Sequence, residues 1–218
     1  MPQNLSTQRD TTGVGPSTAR RNEAMLAAIV AGYKGDEGVA RRMLQDDDAG
    51  VRASALGAVE RIGKIHARDL LGALDDASAL VRRRACEVAA RYGAAASSPI
   101  TSALHRLLED PDPLVVEAAC WALGEHRDAT SVTALSALAR THLDPRCRES
   151  AIASLGAIGD PRGLDTVIEG LADKPAIRRR AVVALAGFDS SDADDAIRRS
   201  LDDRDWQVRQ SAEILSGD

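Results

Sequence analysis

Aromatic side chains are nearly missing from this chain: Tyr33, Tyr92, Trp121, Phe188 and Trp206 are the only five in 218 residues. A globular core of this size normally takes bulk from such rings, so alanine, leucine and valine must fill it. That argues against a β-sandwich, whose strands favour aromatic and β-branched residues, and for closely stacked helices. Lysine occurs only at 34, 64 and 174. With abundant arginine and alanine, the composition is the one expected of a GC-rich bacterial genome. Cys86, Cys120 and Cys147 are an odd set without a CxxC spacing. They read as small buried side chains in a reducing compartment, not as a disulfide framework. No apolar run approaches the roughly 18 residues of a transmembrane helix, and 28% of residues are charged. The opening stretch MPQNLSTQRDTTGVGPSTA has no apolar core of a secretory signal. A cytoplasmic location without membrane insertion is therefore expected. A net charge of −5 disfavours wholesale nucleic-acid binding, which needs a cationic excess.

What is present is a repeat. VRASALGAVERIG from Val51, VRRRACEVAARYG from Val81, VVEAACWALGEHR from Val115, CRESAIASLGAIG from Cys147, IRRRAVVALAGFD from Ile177 and VRQSAEILSGD from Val208 align without gaps. An apolar residue opens each block, at spacings of 30, 34, 32, 30 and 31. Arginine follows in five of the six, as a ladder of Arg52, Arg82, Arg148, Arg178 and Arg209; Val116 takes its place in the third. Alanine stands four places after every opener: Ala55, Ala85, Ala119, Ala151, Ala181 and Ala212. A weaker upstream copy, RNEAMLAAIVAGY, puts Arg21 and Ala24 in the same register.

Each block reads as a helix, here termed B. Val51, Ala55, Ala58, Val59 and Ile62 form one apolar face at helical spacing. Three places before the opener stand Asp48, Ser78, Asp112, Asp144 and Asp205, with Lys174 as the exception. Such side chains accept bonds from the unpaired N–H groups of a first turn. Pro113, Pro145 and Pro175 follow at the first helical position, where proline costs nothing. Gly63, Gly93 and Gly159 suit the left-handed residue that ends a helix. Shorter amphipathic stretches, the A helices, are expected near 37–45, 66–75, 99–109, 129–141, 161–172 and 192–202. The unit is a hairpin of about 31 residues, six times repeated after a leading helix. Such hairpins bury a continuous core only by stacking, with the B helices on the concave side. The fold class is thus all-α, an α-solenoid over residues 19–218. Residues 1–18, rich in Ser, Thr, Gln and Gly, are expected to form a flexible tail.

The units, best seen in DPRCRESAIASLGAIGDP at 144–161, resemble HEAT-like repeats of the phycobilisome-lyase type, over about residues 20–216. The resemblance implies the solenoid fold firmly and function only loosely. Its members include bilin lyase subunits, iron–sulfur assembly helpers, adaptors and bacterial scaffolds, and a distant relative excises alkylated DNA bases.

Candidate functional residues follow from the register. The ladder arginines either pair with acids near helix starts, such as Asp48, Asp112, Asp144 or Asp205, or form an anion track. The recurrence of acids at the same register favours pairing. Positions two and six after each opener should face the groove. They read Ala53/Gly57, Arg83/Glu87, Glu117/Trp121, Glu149/Ala153, Arg179/Val183 and Gln210/Ile214, with Arg91 and Glu125 one turn further on. The third repeat departs twice, with Val116 for arginine and with Trp121 in the groove row. Trp121, Val116, Glu117, Glu125, Arg83, Glu87, Glu149, Arg179 and Val183 are therefore the candidate protein-binding residues. Tryptophan is a common anchor of binding surfaces; the alternative is an indole wedged between repeats. Trp206 reads either as a shield over the last repeat or as a dimer contact.

No catalytic group, cofactor or metal is expected. His66, His105, His126 and His142 are scattered, and Glu125-His126 is a lone pair where the HEAT-type di-iron hydroxylases need several. Neither a GxSxG nor a phosphate loop is present. Cys86 and Cys120 should lie near 9 Å apart on packed helices, beyond a disulfide's reach. The leading expectation is a non-enzymatic protein-binding scaffold, monomeric or weakly dimeric, whose partner is a basic helix or tail. Two other readings stand beside it: nucleic-acid binding through the runs Arg82–Arg84 and Arg178–Arg180, and an accessory subunit like a bilin lyase.

Overall fold

A computed structural model describes residues 16–92 and 98–217. All regular structure among them is helical, and the fold is the all-α repeat solenoid expected. The chain divides into two compact units, residues 1–63 and 64–218. The tail expected at residues 1–18 lies outside the described residues except at its end, where helix already begins at Pro16. The helix end expected at Gly93 also lies outside them.

In the first unit, α1 (Pro16–Lys34) packs on α3 (Ala49–Arg61). The shorter α2 (Glu37–Met43) lies against both. The α1–α3 contact is made by small residues. Ala28 and Ala31 are buried, and a methyl group on Gly32 would stand 2.9 Å from the Ala58 backbone.

The second unit holds five hairpins. Its A helices are α4 (Ala67–Leu74), α6 (Pro99–Leu107), α8 (Val132–Thr141), α10 (Leu164–Glu169) and α12 (Ser191–Arg199). Short 3-10 turns extend α8 at its start, α10 at both ends and α12 at its end, which accounts for the longer spans expected from sequence. Its B helices are α5 (Ala79–Tyr92), α7 (Pro113–Glu125), α9 (Pro145–Ile158), α11 (Pro175–Leu185) and α13 (Trp206–Ser216). Successive B helices touch along their lengths. Among the described residues no helix is long and apolar enough to cross a membrane.

The local signals act as their chemistry requires. Asp48, Asp112, Asp144 and Asp205 each accept a first-turn N–H, at 2.8 to 2.9 Å for the shortest bond, and Lys174 makes no side-chain cap. Gly63 and Gly159 have φ of 74° and 68°, so a side chain there would be strained. The openers and the recurring alanines make the core: Val81, Val115, Cys147, Ile177 and Val208 are at most 2% exposed, and Ala85, Ala119, Ala151, Ala181 and Ala212 are 0% exposed. Alanine is needed because the helices lie close. A methyl on Gly156 would come within 2.6 Å of the Ala184 backbone.

Candidate functional site

Three of the five ladder arginines pair with acids between helices, but not with the capping acids. The Arg82 guanidinium forks onto Asp110 at 2.7 and 2.9 Å. Arg148 forks onto Asp173 at 2.8 and 2.9 Å, and Arg178 onto Asp203 at 2.9 and 2.8 Å. Each fork runs from one B helix to the loop that leads into the next. The cap carboxylates Asp112 and Asp205 are occupied by their own first-turn N–H groups. The acid two places earlier is the one turned back towards the preceding repeat. It also accepts the N–H of the cap residue, Asp112 to Asp110 at 2.9 Å and Asp205 to Asp203 at 2.8 Å.

A ladder arginine also ties its own loop. Nη1 donates to the carbonyl of Asp46 from Arg52, of Asp76 from Arg82, of His142 from Arg148, of Asp173 from Arg178 and of Asp203 from Arg209, at 2.7 to 3.0 Å. Hydrogen bonds from the Arg148 and Arg178 forks hold Asp173 and Asp203 below the usual carboxylate range. Burial pushes Asp110 up, but Arg82 and the Asp112 N–H outweigh it, so Asp110 too lies low.

Val116 is the exception and a correction: it is 0% exposed and forms no part of a groove. Its position points along the stack, where arginine would reach the next loop. That loop has lost the matching acid. His142 stands two places before the cap Asp144, where Asp110 and Asp203 stand in theirs, and its Nδ1 accepts the Asp144 N–H at 3.1 Å. The α7–α9 joint is held otherwise. Cys147 Sγ donates to Pro113 O at 3.3 Å, Ser150 Oγ to Glu117 O at 3.0 Å and Ser154 Oγ to Cys120 O at 2.7 Å.

Over this joint lies an open groove of about 640 Å³ walled by α5, α7, α9 and α11. The α7 stripe Leu114, Glu117, Ala118 and Trp121 forms its middle. Trp121 is 39% exposed, so the indole is not sealed between repeats. Its Nε1 donates to Glu125 Oε1 at 3.1 Å, which fixes the ring's orientation. Arg83, Glu87 and Glu149 line the groove as expected. Val183 lines a smaller neighbouring groove of about 230 Å³ between α9 and α11. Arg179 turns away towards α13, with Nη1 donating to Gln207 Oε1 at 3.2 Å.

Leu114, Ser150, Arg146 and Arg180 were missed. They stand one place before or three places after an opener. An amphipathic face spans more than the two rows chosen, and that breadth was the available signal.

Most charges at the groove are already matched. Glu87 meets Arg83 at 3.5 Å and Arg84 at 2.9 Å, Arg180 meets Glu149 at 3.4 Å and Arg146 meets Asp144 at 2.8 Å. The Glu117 carboxylate, half-buried between Leu114 and Trp121, makes no ion pair with a described residue.

Other chemistry is structural. Asp128 is buried, which pushes its carboxyl up, but bonds from Ser131, Thr130 and His105 outweigh burial and hold it low. His105 Nε2 meets both Asp128 Oδ2 at 3.0 Å and Ser131 Oγ at 2.6 Å. A proton relay needs its acid and nucleophile on opposite ring nitrogens; here they share one. All three thiols are buried and free. Burial pushes Cys86 up to about 12 and Cys147 up to about 11, and raises Cys120 as well, so none supplies a thiolate at neutral pH. Among the described residues no cluster of three potential metal ligands occurs. Trp206 is 61% exposed at the first position of α13, and Ile214 and Leu215 near the other end of that helix are 75% and 38% exposed.

The pattern of the HEAT repeats matches residues 67–156 and 135–216. No curated protein matches the chain significantly. Among solved structures, an engineered protein is similar at 20% identity and a TM-score of 0.60, over 84% of this chain and 95% of that one. The complex of CpcE and CpcF of phycocyanin lyase from Nostoc sp. PCC7120 is similar at 19% identity and a TM-score of 0.58, over 97% and 79%. A designed armadillo repeat protein in complex with the peptide (KR)4 is similar at 15% identity and a TM-score of 0.57, over 90% and 98%. At these identities the likenesses speak for the fold alone.

Proposed function

The chain belongs to the HEAT-repeat family, and from that premise we propose that it is a non-enzymatic scaffold that holds a basic segment of a partner protein in the groove over α7. The observation that carries this reading is the α7 stripe: an exposed, oriented indole beside a half-buried carboxylate that makes no ion pair with a described residue. Trp121 and Leu114 offer apolar contact, and the indole face attracts a cation. Glu117 and Glu125 offer the counter-charge. The arginine runs do not favour nucleic acid. Arg82 and Arg178 are spent in forks, and Arg83, Arg84 and Arg180 face carboxylates.

The test is fluorescence anisotropy with labelled peptides on the full chain. A Lys/Arg-rich peptide carrying one aromatic residue should bind, and its acidic counterpart should not. Trp121→Ala should weaken binding at least tenfold, as loss of a buried anchor does, while moving the melting temperature by no more than about 2 °C because the ring packs on the surface. Equal binding of both peptides, or an affinity indifferent to Trp121→Ala and Glu117→Gln, would sink the proposal.

A further inference from the structure

The first unit exposes a second surface of a different kind. On α1, Leu26, Ile29, Val30 and Tyr33 are 60%, 40%, 37% and 73% exposed. Their spacing of i, i+3, i+4 and i+7 puts them on one face. That face lies away from the small residues that meet α3, and it stays partly open to solvent along its length. Scattered apolar residues on a surface need no explanation, but a contiguous stripe along a 19-residue helix marks an interaction site. The Arg61 guanidinium of α3 lies over one face of the Tyr33 ring, 4.4 Å from its centre, so the stripe ends in an oriented ring that is still 73% exposed.

We infer that the stripe is a self-association surface, on which α1 of a second copy lies antiparallel across a two-fold axis near residue 29. Two features of the sequence select a copy of the same chain. The stripe is its own complement: about that axis Leu26 faces the partner's Tyr33, and Ile29 faces the partner's Val30. A two-fold contact must be self-complementary in this way. The flanking charges match as well. Glu23 and Lys34 are eleven residues apart, three helical turns, and so stand on the same side of the stripe. In an antiparallel pair the same-side flanks meet, which sets Glu23 opposite the partner's Lys34, and Lys34 opposite the partner's Glu23. Neither charge has an ion pair among the described residues of its own chain. Four side chains per copy fall short of a standard interface, so the dimer is weak, with a dissociation constant on the order of 10 to 100 μM.

Sedimentation of the full chain across a concentration series tests this. The wild type should pass from monomer to dimer within that range. Leu26→Glu/Ile29→Glu changes only exposed positions and should raise the dissociation constant at least tenfold with an unchanged circular dichroism spectrum. Lys34→Glu should weaken the dimer about fivefold by setting two carboxylates against two others. Adding Glu23→Lys should restore it to within about twofold. Trp121→Ala should leave it untouched, so that failure here and failure of the groove reading are separable. A chain that stays monomeric throughout, a dimer indifferent to Leu26→Glu, or a charge exchange that does not rescue would overturn the inference. So would a chain that dimerises only after residues 1–15 are removed, since that segment would then be the occupant.

Discussion

Four joints connect successive B helices of the second unit, and they are of two kinds. Three are closed by a guanidinium–carboxylate fork at the loop edge: Arg82 on Asp110, Arg148 on Asp173 and Arg178 on Asp203. The fourth, between α7 and α9, has neither charge. It uses three neutral contacts, from Cys147, Ser150 and Ser154 to backbone carbonyls of α7. With Val116 on one side and His142 on the other no charge is stranded, whereas either charge alone would lack its partner. A fork is sensitive to pH and partly to salt, whereas a hydroxyl-to-carbonyl bond is not. The unforked joint is also the one that carries the groove.

The largest effect that separates the two kinds should come from acid. Asp110, Asp173 and Asp203 are all held below their ordinary range. Their contribution is fully present above the unfolded carboxylate pKa of about 4 and is lost as pH falls through the lower folded values. Stability followed by circular dichroism should therefore collapse below about pH 4. Hydrogen exchange should show the forked joints opening before the α7–α9 contacts.

Next in size is the removal of one half of a fork. Asp203→Ala strands Arg178, which is 4% exposed. It should cost about 3 kcal/mol and lower the melting temperature by about 6 to 12 °C. A drop under 2 °C would show the forks to be ornamental.

A double-mutant cycle then tests whether the missing fork can be built. Val116→Arg alone buries an unpaired charge and should cost about 2 kcal/mol. Combined with His142→Asp it should recover about 1 kcal/mol or more of coupling. Additive losses would mean that the α7–α9 joint differs in more than these two side chains. The smallest effect belongs to the neutral joint. Ser154→Ala removes one buried donor and should cost about 1 kcal/mol, with no change in the acid midpoint.

Much of this was legible in the sequence. The repeat, both helix sets and the aspartate caps follow from spacing and local chemistry, which the fold leaves intact. Less legible was which acid an arginine meets. Asp110 and Asp112 are two residues apart, and only the turn between them decides that one caps its helix while the other reaches back. For the same reason Val116 was assigned to the groove: without the register of the fork, the direction of its position was unknown. His142 in the place of an acid acquires meaning only once the missing partner, Val116, is located. Trp121, Glu117, Arg83, Glu87 and Glu149 line the groove because groove-facing rows recur with the repeat. Arg146 and Arg180 escaped because the face is broader than two rows.

The exposed indole of Trp121 has a practical corollary. The chain has two tryptophans, and Trp206 stands on a different helix from the groove. With Trp206→Phe, all indole emission would originate beside Glu117. Filling of the groove could then be followed as a blue shift of that light, without a label on either molecule.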